Sequence, residues 1–111
     1  YGPSKSFLTS FGHGLREELR GSGIQLTILQ PGATATEFHA RAGMGNTGFG
    51  DNSWKSDPAE VARQGYEAML RGQSVVTGGD ASAQQAAIDL RLVPDEEKAK
   101  SHAQRARPLA E

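Results

Sequence analysis

The fold of this chain is decided by the stretch Ile24-Gln25-Leu26-Thr27-Ile28-Leu29, which is closed by Pro31-Gly32. A short run of β-branched and apolar residues between turn residues is typical of a strand that is buried in a parallel sheet. We therefore predict a strand over residues 24–29. Ligands of open parallel sheets lie beyond the carboxyl ends of the strands, so the loop after Pro31 is the first candidate for a binding site.

A helix is predicted upstream of this strand, over residues 3–20. Pro3 suits the first helical turn, where its missing N–H costs nothing. Apolar residues recur at helical spacing at Leu8, Phe11, Leu15 and Leu19. Gly12 and Gly14 each cost about 1 kcal/mol relative to Ala inside a helix, so we expect another helix to pack closely against them. Arg16 belongs to a charged cluster that is expected on a solvated face.

A second helix and a second strand are predicted downstream. Asp57-Pro58-Ala59-Glu60 provides a capping Asp, a Pro at the first helical position and a Glu able to reach back to the cap. This helix runs to Arg71-Gly72, and Val75-Val76-Thr77 then forms a short strand. The strand, helix and strand make a parallel unit with the usual right-handed crossover. Beyond Asp80, residues 83–93 and the segment after Pro94 are predicted to be helical.

A catalytic pair is suggested by Tyr1-Gly2-Pro3-Ser4-Lys5, because residues four apart lie on one face of a helix. A phenol has an ordinary pKa of about 10, and a nearby cation favours its ionised form, which would let Tyr1 exchange a proton near neutral pH. The same spacing also fits an aromatic anchor followed by a solvated charge, since this motif is short. The surrounding sequence favours the catalytic interpretation.

Four stretches, in this order, resemble the short-chain dehydrogenase/reductase family over residues 1 to about 78. They are Tyr1-Gly2-Pro3-Ser4-Lys5-Ser6-Phe7-Leu8, Leu15-Arg16-Glu17-Glu18-Leu19, Gly23-Ile24-Gln25-Leu26-Thr27 and Pro31-Gly32-Ala33-Thr34-Ala35-Thr36. The resemblance implies that Tyr1 is the general acid/base, and that Lys5 binds the nicotinamide ribose and lowers the pKa of Tyr1. It also places Pro31, Gly32 and Thr36 against the cofactor, NAD or NADP, with Thr34 as a further polar contact.

The family's catalytic Ser and its glycine-rich loop have no counterpart in these 111 residues. We therefore interpret the chain as the C-terminal portion of a doubly wound, Rossmann-type parallel sheet of the α/β class. Its elements follow the order helix, strand, helix, strand and tail helices. Residues 1–80 are assigned to the NAD(P)-binding domain and residues 81–111 to a helical C-terminal tail.

The segment from Phe38 to Trp54 is rich in glycine and shows no period, which predicts a mobile loop or a pair of short helical turns. Loops of this length are usually functional or disordered. In the family this segment closes over the substrate, so the resemblance makes Phe38, Met44, Phe49 and Trp54 candidate substrate-lining residues. Their alternative role is to tether the loop to the body. His39 is a further candidate for contact with a polar group.

The composition argues against several kinds of function. The chain has 12 basic and 13 acidic residues and a net charge of -1, which gives no electrostatic case for binding nucleic acid or an anionic membrane. It has no Cys, and its three His residues are too scattered for a metal cluster, so no metal is expected. No apolar run is long enough to span a bilayer. We expect a cytoplasmic protein.

These features predict an NAD(P)-dependent oxidoreductase, active as the complete protein, that transfers hydride between nicotinamide and a small alcohol or ketone. The family places helix 3–20 in a four-helix bundle between subunits, which implies a homodimer or tetramer. One alternative is a catalytically incompetent fragment that serves as an oligomerisation or binding piece. Another is a sugar-nucleotide epimerase or dehydratase, which the short region after Thr36 disfavours. The choice between NAD and NADP depends on residues outside this chain.

Overall fold

The computed structural model describes residues 1–110, which form five helices and two strands. In chain order these are α1 (Gly2–Glu18), β1 (Ile28–Pro31), α2 (Phe38–Arg41), α3 (Pro58–Leu70), β2 (Val75–Gly78), α4 (Ala81–Asp89) and α5 (Asp95–Ala106). The predicted α/β class and order of elements are confirmed. α2 is one helical turn within the segment predicted as a loop or short turns.

β1 and β2 form a two-stranded parallel sheet, as the predicted strand–helix–strand unit requires. The ladder begins where Ile28 lies opposite Val75. The predicted strand over 24–29 is therefore wrong in its bounds. Thr27, the residue before the ladder, bonds to the neighbouring segment through its side chain: its Oγ1 donates to the carbonyl oxygen of Gln73 at 2.7 Å.

Helices cover both faces of β1, since two adjacent residues of the strand meet glycines of different helices. A Cβ atom on Gly12 of α1 would lie 3.0 Å from Ile28 Cδ1, and one on Gly65 of α3 would lie 2.9 Å from Leu29 Cδ2. Successive side chains of a strand point to opposite faces, so α1 and α3 lie on opposite sides of the sheet. This is the layering of a doubly wound sheet.

The close packing at Gly12 is against a strand, whereas the sequence predicted another helix. Gly12 is buried, and Ile28 and Leu26 are its neighbours. Nothing lies within 4 Å of a Cβ atom placed on Gly14. Within one chain, β1 therefore takes the place of the predicted helix at Gly12, and Gly14 faces open space.

Arg16 has a structural role, which corrects the prediction that it lies on a solvated face. Its guanidinium donates to the carbonyl oxygen of Leu26 at 2.5 Å and to that of Gly72 at 2.9 Å. These bonds tie the end of α1 to the segment before β1 and to the turn after α3. Arg20, in contrast, pairs with Glu17 at the surface, as predicted.

Arg16→Met should lower the free energy of unfolding of the folded protein by about 1.5 to 3 kcal/mol, because two carbonyl oxygens lose a charged donor. The control is Arg20→Met, which removes an ion pair whose side chains are 77% and 68% exposed. It should change stability very little. Urea denaturation gives the free energy of unfolding of both variants. Equal small losses would contradict a structural role for Arg16.

α3 begins and ends as the sequence predicts. The carboxylate of Asp57 accepts from the backbone N–H of Ala59 at 3.2 Å, and Gly72 follows the helix with φ of 72°. Glu60 does not reach back to the cap as expected. It accepts from the guanidinium of Arg63 instead, because a charged donor one turn away is a stronger partner than a backbone N–H.

The interior of the described chain is small. Among residues 1–110, the buried apolar side chains are Val61 and Ala68 of α3. Gly78 of β2 lies so close to Val61 that an added Cβ atom would be 2.8 Å from its Cγ1. The radius of gyration is 15.8 Å, whereas a compact domain of this length would have about 13 Å. The helix and sheet layers are therefore present, but many of their apolar side chains are exposed to solvent.

The tail helices hold different parts of the chain. α4 packs on β2 and ends at Asp89, before the predicted residue 93, because the chain then makes tight turns ahead of Pro94. α5 supports the long loop: the N–H of Gly48 donates to the carbonyl oxygen of Arg105 at 3.1 Å. None of the helices within residues 1–110 combines the length and the apolar character needed to cross a bilayer.

Candidate active site

Tyr1 and Lys5 lie together at the start of α1. Tyr1 is the N-cap residue, and Lys5 Nζ lies 5.0 Å from the centre of the phenol ring. The first turn is held by Ser4 Oγ and by the backbone N–H of Lys5, which donate to the carbonyl oxygen of Tyr1 at 2.6 and 3.2 Å. Tyr1 is 78% exposed, so its phenol is accessible to a ligand. The pair therefore combines a phenol with an adjacent cation.

A row of aromatic rings connects Tyr1 to the long loop and the tail. The ring centre of Tyr1 lies 5.6 Å from that of Phe38, and Phe38 lies 5.2 Å from His39. His39 stacks on Phe49 at 5.6 Å, and Phe49 lies 5.1 Å from His102 of α5. The loop is thereby packed against the catalytic candidate at one end and the tail at the other.

A cavity of about 580 Å³ opens at the carboxyl ends of the two strands. β1 contributes Gln30 and Pro31, the loop contributes Trp54, and α4 contributes Ala83. Leu90, the residue that follows α4, also lines the cavity. This is the position at which open α/β sheets bind ligands, and the size is that of a small-molecule site. A smaller cavity of about 260 Å³ lies at the far end of α1, away from these groups.

Lys55 and His39 form a hydrogen-bonded pair in the wall of this cavity. Lys55 Nζ donates to the carbonyl oxygen of Phe49 at 2.5 Å and to Asn52 Oδ1 at 2.8 Å, and lies 3.3 Å from His39 Nδ1. An ammonium only donates, so Nδ1 must be unprotonated and the neutral ring carries its proton on Nε2. Burial and the charge of Lys55 both lower the pKa of His39, in agreement with a neutral ring.

Asp80 and Arg105 complete the charged lining of the cavity. The carboxylate of Asp80 accepts from Ser82 Oγ at 2.7 Å and from the backbone N–H of Ala83 at 2.8 Å, and both bonds lower its pKa. Arg105 is exposed at the rim and forms no ion pair within residues 1–110. The same part of the chain contains no group of three side chains placed to hold a metal ion.

The structure brings some of the candidate site residues to the cavity and leaves others outside it. Pro31, Gly32, Phe49 and Trp54 line the cavity. Tyr1 and Lys5 do not; Tyr1 is connected to the cavity wall through Phe38, which contacts His39. A ligand that touches both the phenol and the cavity would therefore pass along the Phe38 ring.

The remaining three candidates bond to the local backbone. Thr34 Oγ1 donates to the carbonyl oxygen of Gly32 at 2.9 Å, and Thr36 Oγ1 accepts from the N–H of Phe38 at 3.3 Å. The carbonyl oxygen of Met44 accepts from Thr47 Oγ1 at 2.7 Å. These bonds shape the loop after β1, and any contact of these side chains with a cofactor or substrate stays a prediction.

Several cavity residues were not singled out from the sequence, above all Lys55 and Arg105. Fifty residues separate the two along the chain, and neither lies in a recognisable motif. They meet in one cavity because α5 returns over the loop, where Gly48 bonds to the backbone of Arg105. Asp80 did carry a usable signal, because it follows Gly78-Gly79 at the carboxyl end of a predicted strand.

Comparison with known proteins finds similarity to oxidoreductases. The chain is 42% identical over 55 residues to serine 3-dehydrogenase of Agrobacterium fabrum and to that of Rhizobium radiobacter; this covers 50% of the chain and 22% of each relative. It is 35% identical over 70 residues to sulfoacetaldehyde reductase of Chromohalobacter salexigens, which covers 63% of the chain and 28% of that relative. No family model and no solved structure gave a significant match.

These names denote a dehydrogenase and a reductase, so the matched part of the chain is similar to enzymes of oxidation and reduction. The similarity agrees with the resemblance to the short-chain dehydrogenase/reductase family that the motifs suggest. The chain spans between a fifth and a third of the length of these relatives, as the 22% and 28% coverages show.

Proposed function

We propose that this chain is the C-terminal part of an NAD(P)-dependent short-chain dehydrogenase/reductase that interconverts a small alcohol and the corresponding carbonyl compound. The observation that carries this proposal is the pairing of Tyr1 with Lys5, whose Nζ lies 5.0 Å from the phenol ring at the exposed start of α1. The similarity to a named dehydrogenase and a named reductase supports it.

In this proposal Tyr1 exchanges a proton with the substrate oxygen. Lys5 Nζ lies 5.0 Å from the centre of the phenol ring, and in this proposal its ammonium binds the ribose hydroxyls of the cofactor. The bound nicotinamide supplies or accepts the hydride. Proton transfer by a positioned side chain commonly contributes about 100- to 10,000-fold to the rate, so Tyr1 should dominate the protein's share of catalysis.

The position of the loop after β1 supports its assignment to the nicotinamide cofactor. Gly32 lies so close to the start of α4 that an added Cβ atom would be 3.0 Å from Ala83 Cβ and 3.3 Å from the carbonyl oxygen of Gly78. Ala83 and Gly78 fill this space, so the glycine is needed for the close packing of the loop on α4, and a cofactor would meet Gly32 from the cavity that it lines. Pro31, Gly32 and Thr36 would hold the nicotinamide side of NAD or NADP.

The cavity suits a small substrate. Phe49, Trp54 and Leu90 provide apolar walls, while Gln30 and Ser56 provide polar groups. Such a mixture is usual in small-molecule sites, where few polar groups set the orientation. The relatives are named for serine and sulfoacetaldehyde, which are small polar compounds. We therefore propose a small polar alcohol or carbonyl compound as the substrate.

We further propose that α1 forms a subunit interface in a homodimer or tetramer. Phe7, Leu8 and Phe11 are 66%, 54% and 56% exposed, and the rings of Phe7 and Phe11 stack at 6.0 Å. Gly14 continues the Phe7 and Phe11 stripe at helical spacing and faces open space, so a second helix could approach closely there. The same surface would serve a catalytically incompetent fragment that acts only in oligomerisation.

Lys5→Ala in the full-length protein tests the proposal against that alternative. It should weaken NADH or NADPH binding roughly 10- to 100-fold, because one charged hydrogen-bond donor is lost. Lys100→Ala, an exposed charge on α5, is the control. Unchanged cofactor affinity would make Lys5 a solvated charge and favour the non-enzymatic alternative.

A further inference from the structure

We propose that the cavity at the carboxyl ends of β1 and β2 binds the negatively charged end of the substrate, with Lys55 and Arg105 as its binding residues. The inference rests on the proposed oxidoreductase function and adds a substrate class to it. That class is a short alcohol or carbonyl compound that carries a carboxylate or sulfonate group.

Lys55 places a positive charge in the cavity wall, and this charge forms no ion pair within residues 1–110. The side chain is half-buried, and its Nζ contacts are the carbonyl oxygen of Phe49, Asn52 Oδ1 and His39 Nδ1. All three are neutral acceptors, and no carboxylate pairs with Lys55 within residues 1–110. These contacts fix the ammonium in place. The bonds from Ser53 and, to a smaller extent, the charge of Lys55 lower the pKa of Asp51, so this carboxylate offsets part of the Lys55 charge without forming an ion pair with it.

Arg105 brings a second cation to the same cavity from α5. Its position is set by the backbone, where the N–H of Gly48 donates to its carbonyl oxygen at 3.1 Å. Arg63 of α3 pairs with glutamates, whereas Arg105 has no such partner in the described part of the chain. A guanidinium presents parallel N–H donors that match the two oxygens of a carboxylate or sulfonate.

The carboxylate of Asp80 also lines the cavity, and it already accepts two hydrogen bonds. It accepts from Ser82 Oγ and from the N–H of Ala83, and it caps the positive end of the α4 helix dipole. The lining therefore carries two cations and one anion, and the anion keeps its charge because its hydrogen-bond donors are neutral. The ring of Phe49 is half-buried in the wall and makes part of it apolar, which strengthens the attraction between charges there.

The experiment compares an anion with a neutral compound of the same shape, 3-hydroxypropanoate and 3-hydroxypropanamide. Calorimetric titration of the full-length protein should show the carboxylate binding at least about tenfold more tightly than the amide, as one or two charged hydrogen bonds predict. Arg105→Met and Lys55→Met should each remove most of that preference. Lys100→Met, on the same helix as Arg105 but outside the cavity, should keep it.

The ratio of the two affinities separates charge recognition from damage to the loop. Lys55→Met also loses the bonds to Phe49 and Asn52, and a collapsed loop would weaken both compounds alike. Lys55→Arg, which restores the charge, should restore the preference. Equal binding of the two compounds, binding of neither, or a preference that survives in both Met variants would each overturn the proposal.

Turnover distinguishes this proposal from the function on which it rests. Oxidation of neutral alcohols with NAD or NADP, without preference for the carboxylate, would overturn the anion site and leave the oxidoreductase standing. Tight, charge-dependent binding of the carboxylate with no turnover by either cofactor would leave the anion site standing and overturn the oxidoreductase.

Discussion

Tyr1→Phe in the full-length protein should lower kcat by about 100- to 10,000-fold while the affinity for NADH or NADPH stays close to that of the unmutated protein. The substitution deletes one hydroxyl group and leaves the ring, which packs 5.6 Å from Phe38, and the cation of Lys5 in place. The proton that the proposed reaction needs is then missing, but the binding surface is unchanged. Absorbance assays of cofactor oxidation give kcat, and fluorescence titration gives the cofactor affinity.

Tyr66→Phe is the matched control for this variant. Tyr66 lies on α3, is 60% exposed and has Leu70, not a lysine, four residues later. Its loss of a hydroxyl should leave kcat within about twofold, since it lies outside both the Tyr1 pair and the cavity. Turnover by Tyr1→Phe near the unmutated level, with an unchanged melting temperature, would remove Tyr1 from the catalytic role.

The 111-residue chain expressed alone should neither unfold cooperatively nor bind NADH or NADPH measurably. The described residues bury few apolar side chains, and Ile24, Phe7 and Leu70 are each more than 60% exposed. Ordering the backbone costs about 1 to 2 kcal/mol per residue, and this little burial does not offset that cost. The two-stranded sheet also leaves both outer strand edges open to association with other chains.

A thermal melt followed by circular dichroism and a calorimetric titration with both cofactors measure the two halves of this prediction. We expect a broad, low-amplitude melt and no heat of binding. The full-length protein should give a sharp transition in the same melt. A sharp melt of the chain alone together with micromolar binding would contradict the prediction and identify a self-sufficient binding module.

Much of the fold could be predicted from the sequence, because the residues that begin and end its helices and strands are close together along the chain. Asp57 and Pro58 specify the start of α3, Gly72 specifies its end, and the apolar run before Gly78 forms β2 as expected. The bounds of β1 were less predictable, because a strand extends only as far as its neighbour pairs with it. Residues 24–27 have the composition of a strand but no backbone partner across from them.

Some residues of the candidate site were also predictable from local sequence, and others were not. Tyr1 and Lys5 are four residues apart, so the geometry of one helical turn brings them together whatever the rest of the chain does. Pro31 and Gly32 follow a predicted strand, so parallel-sheet geometry puts them beside the cavity. In contrast, the position of Met44 in the glycine-rich loop had no periodic signal, and its carbonyl serves a local bond to Thr47.

The sequence by itself determined the helices, the parallel pairing of two strands and the Tyr1–Lys5 pair, because each depends on spacing within one element or one connection. Only the tertiary structure decided that Gly12 packs on Ile28, that Arg16 bonds to two distant carbonyl groups, and that Lys55 and Arg105 share a cavity. The two carbonyl groups that Arg16 contacts are 10 and 56 positions away from it along the chain. Long-range pairs of this kind depend on how whole elements pack, which no local pattern of residue types specifies.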